Sequence, residues 1–312
     1  MSHLMVGMRL LLVASLMGAA SAANAATLTV NCGARVGLVS VGEAIKVLQR
    51  LGSHGPDTIL VSGGCRENVA ILGAERLTLT AVNGASISDV SGGKLDVINV
   101  SDSFDVTISG FTITAGADGS TGANGISCGD GSLCRVTNVT VQGAGDGAGV
   151  AVFTLSRARL TAVTMKNNAY GLQMVNGANV LGDATMQGNW RGMQLVTGAV
   201  ANIHATITQS ADLGIYAANN SAINCLACVI SGNATGGVLL RVNSSSRFAS
   251  GYSITNNGGS GVMLSEVSSA LFQTGAITGN AGNHDVECGP QFTSASGATT
   301  NIGGGSTNCS EP

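Results

Sequence analysis

The chain is predicted to be all-β, a right-handed parallel β-helix solenoid with an N-terminal capping helix. Three columns of residues, repeating in phase, predict it. Successive units open with Gly at Gly149, Gly171, Gly192, Gly214, Gly237 and Gly261, at intervals of 22, 21, 22, 23 and 24 residues. Asn168, Asn189, Asn233, Asn257 and Asn280 form a second column, with Ser210 in the Asn place of the one unit that lacks it. Three residues before each of these lies an apolar side chain: Met165, Met186, Ile207, Ile230, Ile254 and Ile277. A repeat of 20–50 residues marks a solenoid, in which each unit buries its apolar face only against its neighbours.

Within a unit the apolar residues alternate after the Gly, as in Leu172/Met174, Met193/Leu195, Val238/Leu240 and Val262/Leu264. Alternation is the period of a strand with one buried face, and no unit carries a helical spacing long enough for a helix. At ~3.3 Å per residue, a unit of about 22 residues closes a coil of about 70 Å circumference. Stacked coils pair in parallel, and crossovers between parallel strands are right-handed. The L-x-x-L-x-L signature of a leucine-rich repeat is missing.

The remaining elements follow in chain order. Residues 1–25 read as a signal peptide, with Arg9 as the charge, an apolar run from Leu10 to Ala20 and an Ala23-Asn24-Ala25 cleavage site. Met8 is an alternative start to Met1. Such a run is too short to span a bilayer, so no membrane insertion is expected. Residues 26–312 are read as a single β-helix domain, comprising an N-terminal cap (26–56), coils (57–287) and a C-terminal tail (288–312). In the cap, Ser40 and Glu43 form an S-x-x-E capping box. Ala44, Ile45, Leu48 and Leu51 share the buried face of the helix, and Gly52 ends it. A helix over the first coil covers backbone groups that otherwise invite strand addition. From Asp57 short strands separated by Gly, Ser and Asn turns begin the coils. The stretch from Ala115 to Leu133 breaks the rhythm and is expected to leave the coil as a long loop.

Composition narrows the partners. The chain has 46 Gly, 3 Pro and 3% aromatic residues, with 14 Lys+Arg against 17 Asp+Glu. Loss of Arg9 with the leader takes the net charge from −3 to about −4, a poor electrostatic match to nucleic acid. The protein is expected to be exported, periplasmic or secreted. In that compartment its eight Cys read as disulfides, with neighbours in sequence suggesting Cys32–Cys65, Cys128–Cys134 and Cys288–Cys309. Cys225 and Cys228 read as a disulfide or as two buried thiols across a turn. The C-x-x-C redox reading lacks its helix start, and a zinc reading lacks a second ligand pair.

The residues Val61–Val69, VSGGCRENV, resemble the V-x-G-x-Y-x-E-x-V opening coil of pectinesterases, with Cys65 in the Tyr place. The Gly/Asn repeat resembles that of the pectate-lyase-like β-helix superfamily. The resemblance implies this fold over nearly the whole mature chain. It spans polysaccharide lyases, polygalacturonases, pectinesterases, epimerases, tailspikes and adhesins. The catalytic signatures of polygalacturonases, pectinesterases and classical pectate lyases are not found in the chain, so no site is carried over, and fold alone does not supply function.

Candidate sites come from stacking. Residues one coil apart lie about 4.8 Å from each other, so the position two after each Gly forms an outward column: Ala151, Gln173, Gln194, Tyr216, Leu239 and Met263. The preceding turns add Tyr170, Trp190, Arg191 and Asp212. Tyr170, Gln173, Trp190, Arg191, Gln194, Asp212 and Tyr216 are therefore the expected ligand-binding residues. Aromatic faces beside planar amides and charges suit sugar rings, their hydroxyls and carboxylates. Asp183 and His204, on neighbouring coils, are the only acid/base pair found for catalysis, and an ordinary cross-strand pair is the simpler reading. His284 and Asp285 read as capping residues, and His54 as a loop residue. No cofactor or metal site is expected, beyond a weak Ca²⁺ reading for Asp118, Asp130 and Asp146. The functional expectation is contact with an extracellular or cell-wall polysaccharide by binding. The alternatives are a polysaccharide lyase or epimerase, or a structural or adhesive surface protein.

Overall fold

The computed structural model describes residues 25–290 and 294–310; the expected leader lies outside them except for Ala25. The chain winds as a right-handed parallel β-helix of about ten turns. One side is a ten-stranded sheet in strict chain order, from Val69–Leu72 to Val286–Cys288. The other sides form a nineteen-stranded sheet, onto which a coil contributes either two short strands or one long bent strand such as Arg157–Lys166.

The three sequence columns hold their register. Met165, Met186, Ile207, Ile230, Ile254 and Ile277 pair coil to coil, and each is fully buried. Leu172, Met174, Met193 and Leu195 fill the same core from the opposite sheet. The Asn column forms a buried hydrogen-bonded row at the turn before the ten-stranded sheet. Asn168 donates its backbone N–H (3.0 Å) and Nδ2 (3.1 Å) to Asn189 Oδ1. Asn233 and Asn257 repeat the arrangement. The Nδ2 of Asn168, Asn189, Asn257 and Asn280 also finds a strand carbonyl, as Asn189 does at Met165 O, so these buried amides are satisfied. The Gly column exists for this row. A Cβ on Gly214 would lie 2.7 Å from the Gly237 carbonyl oxygen and 2.9 Å from Asn233 Nδ2.

Both ends are covered. Thr27–Asn31 pairs with Asp57–Ser62, and a helix, Val41–Arg50, buries Val41, Ala44, Ile45 and Leu48 against the first coil. Leu51 departs from the expected face: it is the C-cap residue and is 68% exposed, because the helix ends before that turn closes. The capping box is also only half formed. Ser40 Oγ accepts from Glu43 N–H, but the carboxylate at the helix N-terminus is that of Glu67. It accepts from Val41 N–H, Gly42 N–H and Ser40 Oγ–H. A carboxylate fixed on the first coil both caps and docks the helix, which a residue inside the helix cannot do.

Four disulfides form: Cys32–Cys65, Cys128–Cys134, Cys225–Cys228 and Cys288–Cys309. The second corrects the expected loop. Ile126–Gly129 and Leu133–Thr137 are coil strands in register with their neighbours, so the excursion ends at Gly125. Cys128 and Cys134 are buried across a corner of the coil. Beyond Cys288, Ser294–Ser296 adds one more strand, and Cys309 ties the tail back.

Candidate functional site

The outward column is in register from Ala151 through Gln173, Gln194, Tyr216, Leu239 and Met263 to Glu287. Ala151 is covered, whereas Met263 is 36% exposed. Over the C-terminal part of this column lies a cleft of about 590 Å³, lined by Arg191, Gln194, Asp212, Tyr216, Arg241 and Ser260 above an apolar floor that includes Leu213, Val238 and Leu239.

Arg191 is the centre of the arrangement. Its guanidinium carbon lies 4.6 Å from the Trp190 ring centre and 4.6 Å from that of Tyr216, so the planar cation is held by two aromatic faces. Nε (3.0 Å) and Nη2 (2.5 Å) donate to Asp212 Oδ2, and Nη1 donates to Gln194 Oε1 at 2.6 Å. Tyr170 meets Trp190 edge to face at 5.6 Å. The strand register brings this about, because Tyr170 and Arg191 are direct partners and Gln194 and Tyr216 are the next pair along. Tyr170, Gln173 and Trp190 stand beside the cleft on its N-terminal side, the last of them 46% exposed.

Sequence reasoning missed three charged neighbours. Arg241 pairs with Glu266 at 2.6 Å; hydrogen bonding and charge from Glu266, then Tyr216, hold it protonated above its usual range. Glu287 accepts from Ser260 Oγ–H. The signal for Arg241 was present, since it lies two residues past Leu239, the next outward position of the same strand. Glu287 follows by extending the column one coil.

A second cleft of about 470 Å³ lies toward the N-terminal end of the same sheet, among Asn68, Lys94, Asn99, Asn124 and Phe153. Asp183 and His204 are register partners on the nineteen-stranded sheet, where they line a smaller depression of about 180 Å³, away from the two larger clefts. Asp183 Oδ1 accepts from Ala162 N–H at 2.8 Å, where the strand Arg157–Lys166 bulges between Leu160 and Val163. No hydrogen bond or ion pair joins it to His204 among the described residues. The carboxylate serves the bulge, whose extra residue would otherwise leave its N–H unpaired.

The Ca²⁺ reading is corrected as well. Asp118 accepts from Ser120 and Thr121 N–H, Asp146 from Gly119 N–H, and Asp130 from Ser101 Oγ–H. Asp118 is spent on its own turn and Asp146 and Asp130 on the neighbouring coil, and the three do not form a ligand cluster. Among the described residues the one group of three close His, Cys, Asp or Glu ligand atoms is Cys32, Cys65 and Glu67. There both sulfurs are in a disulfide and the carboxylate caps the helix. Asp285 does act as a cap, accepting from Asn280 and Ser306 at the end of the Asn row. No helix among the described residues is long and apolar enough to cross a membrane.

No curated protein matches the chain. Solved structures do. Pectate lyase Pel9A aligns with TM-score 0.59 at 11% identity, over 89% of this chain and 80% of its own. A periplasmic alginate epimerase, AlgG, aligns with TM-score 0.55 at 13% identity over 67% of this chain, which spans 60% of the epimerase's length. The A-module of the Azotobacter vinelandii mannuronan C-5 epimerase AlgE4 aligns with TM-score 0.54 at 11% identity, over 85% of this chain and 94% of its own. At these identities the likeness establishes the fold, that of the pectate-lyase-like parallel β-helix superfamily. A family model described as periplasmic copper-binding protein (NosD) matches residues 104–308. Copper needs imidazole, thiolate or thioether donors grouped with an open approach. Here His54, His204 and His284 lie on separate elements, every Cys among the described residues is in a disulfide, Met165, Met174, Met186 and Met193 are enclosed in the core, and Met263, the exposed thioether, stands between Leu239 and Glu287 in its column. The described residues do not fit a copper site, even though the match covers more than half of the sequence. By that match, from Phe104 to Asn308, the chain belongs to the NosD family.

Proposed function

We propose that this protein is exported to the periplasm and there binds a polysaccharide through the ten-stranded sheet. The observation that carries the reading is the Trp190–Arg191–Tyr216 cluster at the edge of a cleft with an apolar floor. Pyranose rings offer flat C–H faces edged with hydroxyls, and such a surface presents both an aromatic or aliphatic bed and hydrogen-bonding groups fixed by their own partners. The outward positions advance about 4.8 Å per coil, so an extended polymer laid along the axis meets successive coils. Export is supported by the leader-like residues 1–25, by four disulfides, which need an oxidising compartment, and by the periplasmic description of the family.

Binding is favoured over turnover. A lyase or epimerase needs an acid and a base free to act on the substrate; Asp183 and His204 lie on the other sheet, with Asp183 committed to Ala162, and at the cleft Asp212 and Glu266 are ion-paired with Arg191 and Arg241 while Glu287 holds Ser260. The test is a glycan array with the purified protein beside a Trp190→Ala, Tyr216→Ala variant whose fold is checked by circular dichroism. Binding to a polysaccharide that falls by about tenfold or more in the variant is the expected result, since each lost stacking contact contributes ~1 kcal/mol beyond its burial. Binding unchanged in the variant, or none to any polymer, refutes the proposal. A bound polymer incubated for hours and then found unsaturated or epimerised would refute the non-catalytic part alone.

A further inference from the structure

Resting on the glycan-binding reading, we infer that the polymer taken by the cleft is uncharged, and that the cleft discriminates against polyuronates and sulfated chains. The two guanidiniums at the cleft are the groups that would recognise a carboxylate or sulfate, and both are already neutralised. Arg191 spends Nε and Nη2 on Asp212 and Nη1 on Gln194, and its guanidinium carbon lies 4.6 Å from the ring centres of both Trp190 and Tyr216. Asp212 occupies the Nε/Nη2 edge of the fork and Gln194 engages Nη1, so a second carboxylate meets a guanidinium whose charge is already balanced. Arg241 is paired with Glu266.

N–H donors remain on Arg191, on Arg241, whose one side-chain hydrogen bond runs from Nη2 to Glu266, and on the Gln194 amide, but the charge of both guanidiniums is already compensated, and unpaired acceptors stand beside them. Asp212 Oδ1, the second oxygens of Glu266 and Glu287, and the Tyr216 hydroxyl have lone pairs to offer, and carboxylates are acceptors only. Two cations therefore face three carboxylates around this part of the column, on a chain whose own net charge is −3. Sugar hydroxyls donate to such acceptors, while a polymer with one negative charge per residue is repelled by them. Leu239 and Met263 continue the column as apolar surface, on which a neutral ring loses nothing by shedding water.

The experiment measures affinity of the full protein for soluble polymers of both classes. A panel of glucan, mannan, xylan and galactan is compared with alginate and polygalacturonate, at low and high salt. The expected result is binding to at least one neutral polymer with an affinity that changes less than about twofold between about 20 and about 500 mM NaCl, and at least about tenfold weaker binding of both polyuronates. An Asp212→Asn, Glu266→Gln variant keeps an acceptor at each place and releases both guanidiniums. It is expected to gain polyuronate binding that weakens as salt is raised. Tighter, salt-sensitive binding of a polyuronate by the unmodified protein overturns this inference and leaves the glycan reading standing. A folded variant that gains no polyuronate binding also overturns it. Failure to bind any polymer of either class overturns both.

Discussion

Ser210→Asn is expected to stabilise the protein, because it repairs the one interruption in the Asn row. Ser210 is buried and its hydroxyl has no hydrogen-bond partner, although its backbone N–H donates to Asn233 Oδ1. In the complete rung at Asn257 the side chain accepts twice from the coil before and donates once onward to Asn280 and once to a strand carbonyl. An Asn at 210 has Asn189 N–H, Asn189 Nδ2, Asn233 Oδ1 and the Met186 carbonyl as its four counterparts. Room for it exists, since Gly192 stands where Gly171 and Gly214 leave space for the neighbouring amides. Four hydrogen bonds at about 0.5–1.5 kcal/mol each, partly offset by about 1 kcal/mol for ordering the side chain, leave a gain of about 1–5 kcal/mol, about 3 kcal/mol at the middle of that range. For a chain of this size that corresponds to a Tm higher by roughly 4–10 °C. Thermal unfolding followed by far-ultraviolet circular dichroism, with urea unfolding at fixed temperature as a second measure, reads the effect. An unchanged or lower Tm in Ser210→Asn, together with a loss of several kcal/mol in Asn257→Ala, would refute the claim that the row acts as a repeating unit of equal rungs.

Other perturbations test separate features. Gly214→Ala places a methyl 2.6 Å from Ile230 Cγ2 and 2.7 Å from the Gly237 carbonyl; neither backbone nor packed core yields easily, and a loss of about 3 kcal/mol is expected in urea unfolding. Glu67→Ala leaves Val41 and Gly42 N–H without their carboxylate, and about 2 kcal/mol of local stability should go with it, seen as faster hydrogen exchange over Val41–Leu48. Asp89 sits at the start of a turn. Desolvation, the largest single influence, raises its pKa, but hydrogen bonds from Ser91, Asn68 and Gly93 together hold it down at about 2. A carboxyl depressed on folding contributes stability above its unfolded value of 3.8 and loses it as pH falls toward about 2. Proteolysis of the turn 89–95 by an acid protease should therefore rise across that window and be insensitive to pH in Asp89→Asn.

What the sequence reveals here depends on redundancy. The core column, the Asn row and the outward column each occur several times, so a single odd residue such as Ser210 does not obscure the register. The aromatic and Arg/Asp residues of the site were legible because strand alternation dictates which side chains face outward and stacking dictates their neighbours. Features present once were read less well. Leu51 fits a helical face by spacing, but spacing does not say where the last turn ends. Glu43 satisfies a capping pattern, but a rival carboxylate 24 residues later, Glu67, wins because the fold carries it to the helix. Gly125 ends the excursion that composition alone extended to Leu133, since the strand holding Cys128 has no clean repeat in its own sequence. Asp183 was read by its neighbour His204, whereas its partner is the backbone N–H of a bulge, which no side-chain pattern announces.

The row of buried amides also has a direction. Each Asn oxygen receives from the preceding coil and, except at Asn189, where Ser210 follows, each side chain gives to the next position, so the row is a one-way relay of dipoles beginning at Ala144 N–H, broken once at Ser210, and running to Asp285. An aspartate has nothing to pass on. Its carboxylate closes the relay and takes the backbone of Ser306 as its last donor, which makes Asp285 a stop mark written in one atom's difference from asparagine. A coil copied into the middle of the row would be read through, rung by rung. One appended after Asp285 would find no donor waiting, and lengthening the helix at that end would first require turning the stop back into an amide.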